Sequence, residues 1–383
     1  MDRRLTPAVS RRVAVALVAT AAGAIAPAAA AAPLRLGFFD PQYQTEQPTQ
    51  FWADAAALRP QVLRYNLDWH LTAPRKPAVQ RNPADPAYSW AHIDGLVQAA
   101  AARNVPVLLT VTGTPRWAVK RPAYRVYRLN AIQNATFFRN FVAAAALRYS
   151  GRYDPDGDGT ALPRVTRWEV WNEPNKYLYP HRTDRRGNFK RGGPITVGRD
   201  YAALVNGAYA ELKRRSARNV VAAGSMAYSN AYRAELAPLN FLRLMRASRT
   251  RFDVVSIHPY NSIPVQGLRQ GAGSTGPNIY PGNFGRFTRE LDRLWPGRRT
   301  RIWLTEFGIQ SYPDRFFGVS PQAQAAFLTG AVRLFRTRHR RVETLVWFLV
   351  RDEAELRGWQ SGLRTAGGAK KPVYRAWLRA RGR

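Results

Sequence analysis

Two glutamates stand where a carboxylate is hard to account for by packing. Glu173 lies in RWEVWNEPNKY (167–177) and Glu306 in RIWLTEFG (301–308). Each follows an apolar run rich in β-branched and aromatic residues that reads as a strand, and Pro174 stops the first run at once because it cannot continue a ladder. Both acids are therefore placed near strand ends. Two carboxyls facing each other across a pocket suit glycosidic bond cleavage: one protonates the leaving oxygen while the other acts from below the sugar ring. A single glutamate at a strand end is as readily a solvated or arginine-paired loop residue. The pair, flanked by Trp168, Trp171, Trp303 and Phe307, is what points to catalysis. Glu169 shares a face with Trp171 and Glu173 by the two-residue period but sits deeper, where a buried acid needs an arginine or a hydrogen-bond partner. It is read as structural.

The elements that must position these acids alternate regularly. Strand-like runs occupy 34–39, 61–67, 105–111, 167–172, 219–224, 252–258, 301–307 and 342–350, separated by stretches of helical period such as NATFFRNFVAAAALRYS and PQAQAAFLTGAVRLFRTR. Each stretch is long enough to cross over between parallel strands, and KPVYRAWLRAR supplies the last helix. Eight such units predict the α/β class, a single (β/α)8 TIM barrel over 33–383; the rival open sheet lacks a glycine-rich fingerprint after the first strand. In that barrel the strand C-termini share one face, where active sites of the fold are built. The groups expected there are Arg64, Trp117 in TGTPRWA, Asn172 and Glu173, His258 and Tyr260 in HPY, Thr305 and Glu306, and Trp347.

WNEPN on strand 4, HPY on strand 6, LTEFG on strand 7 and VWF on strand 8 resemble the retaining glycoside hydrolases built on eight-fold barrels, families 39 and 5 above all. The resemblance runs from LRLGFF to the last helix. It implies that Glu173 is the acid/base, that Glu306 is the nucleophile and that Asn172 hydrogen-bonds the sugar 2-hydroxyl. It also implies that Tyr260 and Arg64 contact the nucleophile, and that Trp347 lies under the reacting sugar, ahead of a cis peptide. Trp171 would back Glu173 and desolvate it. GTPRWA looks like the family's strand-3 loop, yet Trp117 could equally cover a core. His258 is expected to orient Tyr260 or nearby loops rather than bind a metal, because no second histidine lies at ligand spacing. A catalytically inactive carbohydrate-binding or polyanion-binding barrel is the alternative function.

Composition adds an address and a surface. Residues 1–32 run from basic through apolar to small residues, the order of a secretory signal, which predicts a secreted or envelope-associated protein with no membrane span after cleavage. The chain has no cysteine, so its core alone must hold it together, and a monomer is expected. Net charge is +34, from 59 basic residues of which only seven are lysines. Such a surface would attract an anionic polysaccharide, with nucleic acid the less expected partner, or it is simply a solvated arginine-rich exterior. The arginine-rich 181–193 stretch could line the cleft and favour uronates, or be a solvated loop. No cofactor is required by the chemistry. A structural calcium is a further candidate at Asp154, Asp156 and Asp158 in DPDGDG, against a plain polar turn, since the twelfth position of the loop pattern is Val165 rather than glutamate.

Overall fold

The structure is a computed structural model that describes residues 33–119, 134–177, 193–230, 235–355 and 358–382. The signal-like segment 1–32 and, apart from Gly193, the arginine-rich stretch 181–193 lie outside the described residues. Eight strands form one closed parallel barrel: β1 (Arg35–Phe39), β2 (Val62–Asp68), β3 (Val107–Thr112), β4 (Arg167–Val170), β5 (Val220–Ala227), β6 (Val254–His258), β7 (Arg301–Phe307) and β8 (Val342–Phe348). Each pairs with the next in sequence, and β8 returns to β1 over Arg35–Phe39. The fold is the expected (β/α)8 barrel. Against expectation β4 stops at Val170 and β8 at Phe348, β5 continues to Ala227, and the remaining bounds agree to within two residues.

The helices are α1 (Pro41–Glu46), α2 (Pro48–Leu58), α3 (Trp69–Thr72), α4 (Ala91–Ala101), α5 (Ala135–Arg148), α6 (Pro174–Tyr177), α7 (Gly193–Arg215), α8 (Pro238–Ala247), α9 (Phe284–Leu294), α10 (Pro321–Thr337) and α11 (Pro372–Arg381). Several begin on a proline, whose missing N–H is one that a first turn leaves unbonded anyway. Strand alternation sends one set of side chains outward to the helices and the other into the barrel. Phe39, Val62, Leu108, Ala222, Val254, Trp303 and Val346 make the small inner core, while the larger outer core takes the helix faces. Towards the strand C-termini Phe39 and Phe348 keep the β1 and β8 side aromatic. The inward positions of β2, β3, β4, β6 and β7 are polar there, as the next section describes. Among the described residues no helix is long and apolar enough to cross a membrane.

Without disulfides, the two ends of the chain are tied by polar contacts. Asp40, just after β1, accepts from the backbone N–H groups of Tyr43, Val350 and Arg351, and burial pushes its carboxyl up to about 6. Buried Lys371 and Asp352 pair at 3.0 Å, Arg364 reaches Asp54 on α2, and the Trp377 indole of α11 donates to the Leu58 carbonyl. These contacts fix the long β8 loop against α1 and α2.

On the outer face, the buried carboxylate of Glu211 on α7 accepts from Arg81, Arg139 and Arg214. Burial alone would raise it, but the three arginines outweigh that effect and hold it at about 2, against 4.5 ordinarily. The unfolded chain therefore binds this proton first. The stabilisation is complete above pH 4.5 and is lost as pH falls towards 2. Thermal melts from pH 6 to pH 2 should show Glu211→Gln melting lower than the parent at pH 6 and the gap closing at the acid end; a gap independent of pH would contradict this account.

Candidate active site

The end of β4 departs from the strand pattern. Trp171 and Glu173 both have left-handed backbone, with φ of 70° and 44°, a conformation that is costly for large side chains and tends to cluster at functional sites. Neighbouring strands hold it in place: the Trp171 N–H donates to the Val111 carbonyl on β3, and the Glu173 N–H donates to the Ser225 carbonyl on β5. The twist breaks the two-residue alternation, so Trp171 leaves the inner face and packs on Phe138 of α5 in the outer core. Its expected role of backing Glu173 is not what the structure shows; His258 is the ring beside Glu173. After Pro174 begins α6, Asn175 joins that turn to β5 by exchanging hydrogen bonds with Ala227 and donating to the Leu236 carbonyl. The tight WNEPN turn is thus clamped from both sides.

Arg64 occupies the middle of the barrel, fully buried. Its Nη1 donates to Glu306 Oε1 at 2.5 Å, its Nη2 to Asn172 Oδ1 at 2.7 Å, and its Nε to Thr110 Oγ1 and Glu169 Oε2 at 3.0 and 3.1 Å. Thr110 completes the cage with a hydroxyl bond to Glu169. The face of Phe39 lies 4.6 Å from the guanidinium carbon. Arg64 thus makes the contact with Glu306 expected of it, and the same guanidinium fixes Asn172. Glu169 is the buried counter-ion that makes its charge tolerable.

Glu306 also accepts the Tyr260 hydroxyl at 3.2 Å. Burial pushes the Glu306 carboxyl up, yet the neighbouring His258 ring, the Arg64 guanidinium and the two hydrogen bonds together bring it below the ordinary range. Tyr260 moves the opposite way: burial, with Glu306 and Glu173 near, holds its hydroxyl well above its usual range, so it stays a donor. His258 is wholly buried. Its Nδ1 lies 3.1 Å from Glu173 Oε1, while Nε2 faces the Ser225 and Thr305 hydroxyls at 3.2 and 3.0 Å. With both ring nitrogens engaged by protein, His258 positions Glu173 instead of touching sugar, and its ring orients that acid rather than Tyr260. One carboxylate oxygen of Glu173, one of Glu306 and a nitrogen of His258 lie within 4.8 Å of one another. A metal ion among these three would have to compete with the Arg64 and Tyr260 donors already on Glu306, so the donor set does not fit one.

The aromatic residues are rearranged relative to expectation. Trp347 points outward from β8, fully buried against Phe307 and Phe327, with its indole N–H on the Ser361 carbonyl; it cannot lie under a sugar, and the peptide after it is trans. The cause is alternation: β8 pairs without a break with β1 from Thr344 to Phe348, so Val346 and Phe348 face inward and Trp347 outward. The shift between Leu304 and Phe307 puts the extra residue on β7, at Thr305 and Glu306. Phe348 packs on Phe39 and on Trp359 of the β8 loop, and Trp359, 39% exposed, also packs on Tyr260. Sequence reasoning passed over Trp359; an aromatic set between Gly358 and Gln360 in a strand-end loop was the available signal. Trp117 lies over Trp69 and Phe137 and donates to the Ala73 carbonyl, covering the outer core.

Asp154, Asp156 and Asp158 do converge within 4.8 Å. Both oxygens of Asp154, however, accept backbone N–H groups, from Gly157 and Gly159, and the twelfth-position Val165 is in the core. Asp158 likewise accepts the Thr160 N–H, so these carboxylates also serve a polar turn.

No protein-family model matches the chain, and no curated protein matches it. Solved structures do resemble it. They include a family 39 glycoside hydrolase from the gut symbiont Bacteroides cellulosilyticus WH2 (19% identity, TM-score 0.65, covering 91% of this chain and 63% of that one). A glucosidase from Croceicoccus marinus gives 17%, 0.60, 91% and 66%. A monomeric beta-xylosidase from Caulobacter crescentus CB15 gives 16%, 0.59, 91% and 67%. The chain thus spans less than two thirds of the first two. At these identities the likeness establishes the shared barrel fold.

Removing the central cation tests the network. Arg64→Met would leave Glu169 and Glu306 buried without a counter-charge and should cost about 3–5 kcal/mol of stability in urea unfolding. Arg64→Met combined with Glu169→Gln should recover part of the loss, and an unchanged midpoint for Arg64→Met would overturn the cage.

Proposed function

We propose that the protein is a retaining glycoside hydrolase that cleaves β-glycosidic bonds of poly- or oligosaccharides, with Glu306 as nucleophile and Glu173 as acid/base. The observation carrying this reading is the closeness of the two carboxylates, within 4.8 Å, combined with their unequal surroundings. Retaining enzymes keep the two carboxyls about 5 Å apart, whereas inverting enzymes leave about 6.5–9.5 Å for a water.

The roles follow from the partners. Glu306, held ionised by Arg64 and Tyr260, attacks the anomeric carbon. Among the described residues Glu173 meets no arginine or lysine at ion-pair distance; His258 aims it, and it gives its proton to the departing oxygen. A covalent glycosyl-enzyme results. Water then attacks the same carbon as Glu173 takes its proton, and the second inversion restores the configuration. Asn172 spends its carbonyl on Arg64, which leaves the amide N–H groups for the sugar 2-hydroxyl. Trp359 and Tyr260 offer an aromatic wall for a ring face. No step calls on a cofactor. In the same reading residues 1–32 direct export, and the +34 charge holds the enzyme near acidic envelope polymers.

Aryl β-glycosides and polysaccharides are the assay. Glu306→Gln should abolish turnover while sugar binding persists. Glu173→Ala should slow poor leaving groups by about 10²–10⁴-fold, with azide restoring turnover and giving a β-glycosyl azide. Release of the α-anomer as the first product, followed by NMR, would exclude double displacement.

A further inference from the structure

The mechanism leaves one ionisable group at the barrel mouth without work. Asp68 ends β2, and on that strand Val62 faces the inner core while Leu63, Tyr65 and Leu67 face the outer one. Alternation therefore puts Asp68 on the inward face with Arg64 and Asn66. Its height is set by pairing: Asp68 is level with Thr112 on β3, and Val111 with Val170 on β4. By this register Asp68 stands level with Trp171, one residue before Asn172, at the barrel mouth where Glu306 also ends its strand.

Three structural jobs for this carboxylate can be checked, and it performs none of them. An aspartate directly before a helix usually caps it, but Asp68, at the N-cap of α3, makes no side-chain bond to that helix. It forms no ion pair or hydrogen bond among the described residues, and burial alone pushes its carboxyl up to about 6. Nor is it loose surface: Trp69 beside it is fully buried, stacked on Phe141 and edge-on to Trp117 and Phe138, which anchors the chain here. His70 follows on the other side of that anchor. Gly113, at the end of β3 with φ of 76°, leaves space for both: a Cβ there would lie 2.6 Å from His70 Nδ1 and 3.3 Å from Asp68 Oδ1. Among the described residues that nitrogen and Asn66 Oδ1 are buried without a protein partner. A half-buried carboxylate kept in place and unpaired is a cost to the fold, and a ligand that brings hydrogen-bond donors would offset it.

We propose that Asp68 is a substrate-recognition residue whose carboxylate accepts hydrogen bonds from ring hydroxyls of the sugar seated over Glu306, with His70 beside it, so that the reacting sugar is a neutral pyranoside and not a uronate. The inference rests on the glycosidase reading and deepens it. A carboxylate acceptor matches a pair of hydroxyl donors and repels a sugar carboxylate, and a site built around a hydroxyl rejects the analogue lacking it.

The test pairs protein and sugar deletions. Wild type, Asp68→Asn and Asp68→Ala are compared on p-nitrophenyl β-glycosides of neutral hexoses and pentoses, their monodeoxy derivatives, and the corresponding uronates. Removing the contacted hydroxyl should lower wild-type kcat/KM by about 10–100-fold, Asp68→Ala should show a similar loss on the parent sugar, and combining the two should cost little more. Neither variant should melt below the wild type, since each removes an unpaired carboxylate. Calorimetry with the same parent sugars on Glu306→Gln, with and without Asp68→Ala, reads the contact independently of turnover. If glycosides are hydrolysed but every deoxygenation costs the same in wild type and Asp68→Ala, or if wild type prefers the uronates, this inference fails while the glycosidase reading stands. If sugars bind through Asp68 but none is hydrolysed, the glycosidase reading fails instead. If no sugar binds, both fail.

Discussion

A fully buried guanidinium organises the barrel interior. A charge taken out of water costs several kcal/mol unless opposite charge and hydrogen bonds replace the solvent, and Arg64 meets that demand with Glu169, Glu306, Asn172 and Thr110. The four partners come from three strands or their ends, so satisfying one side chain pins β3, β4 and β7 against β2. The same bonds that make the arginine tolerable choose an orientation for Glu306 and Asn172. Stability and site geometry are therefore one problem here. Glu169 has no sugar to meet, yet without it the cation that tunes Glu306 would be underpaired.

The asymmetry between the two acids follows from where that cation can reach. Arg64 touches Glu306 and stops at Asn172, one residue short of Glu173. Glu173 is turned by the left-handed backbone at its own position and carried by a bond to Ser225, so its carboxylate meets His258 instead. Strain at Trp171 and Glu173 is held by flanking strands that form regardless of it, which is how such conformations persist in folded chains. Two chemically identical side chains acquire different surroundings within one pocket, the pattern that separates acid from nucleophile.

The barrel and its two acids were legible because both are written in local terms. Eight apolar runs at strand length, separated by helical period, need no knowledge of partners, and a carboxylate directly after such a run marks a strand end. What could not be read depends on contacts between strands. The pairing of β8 from Thr344 onward, set by an extra residue after Val342, decides whether Trp347 or Phe348 faces inward, and VWF looks the same either way. Positive φ at Trp171 defeats the two-residue rule that placed it beside Glu173. His258 was expected to serve Tyr260 because the two are neighbours in sequence, yet its ring belongs to Glu173, 85 positions away. Asp68 was invisible for another reason: an aspartate before a short helix looks like a cap, and only the structure shows the cap bond unmade.

Charge is distributed against the chain's own composition. A protein with net +34 places carboxylates at its barrel mouth, and among the described residues Arg64 pairs with Glu306 there, each of its three nitrogens engaged by protein. A positive pocket would suit an anionic sugar but would oppose the oxocarbenium-like charge that develops at the anomeric carbon. A carboxylate-lined pocket favours that charge, and it accepts hydroxyl donors without inviting a uronate. The basic exterior and the acidic mouth can then act at different ranges: the first over distances set by ionic screening, the second only on a sugar already seated. On the proposed reading, attraction to a polyanion and hydrolysis of a neutral glycoside would be compatible in one molecule because they would use surfaces of opposite sign.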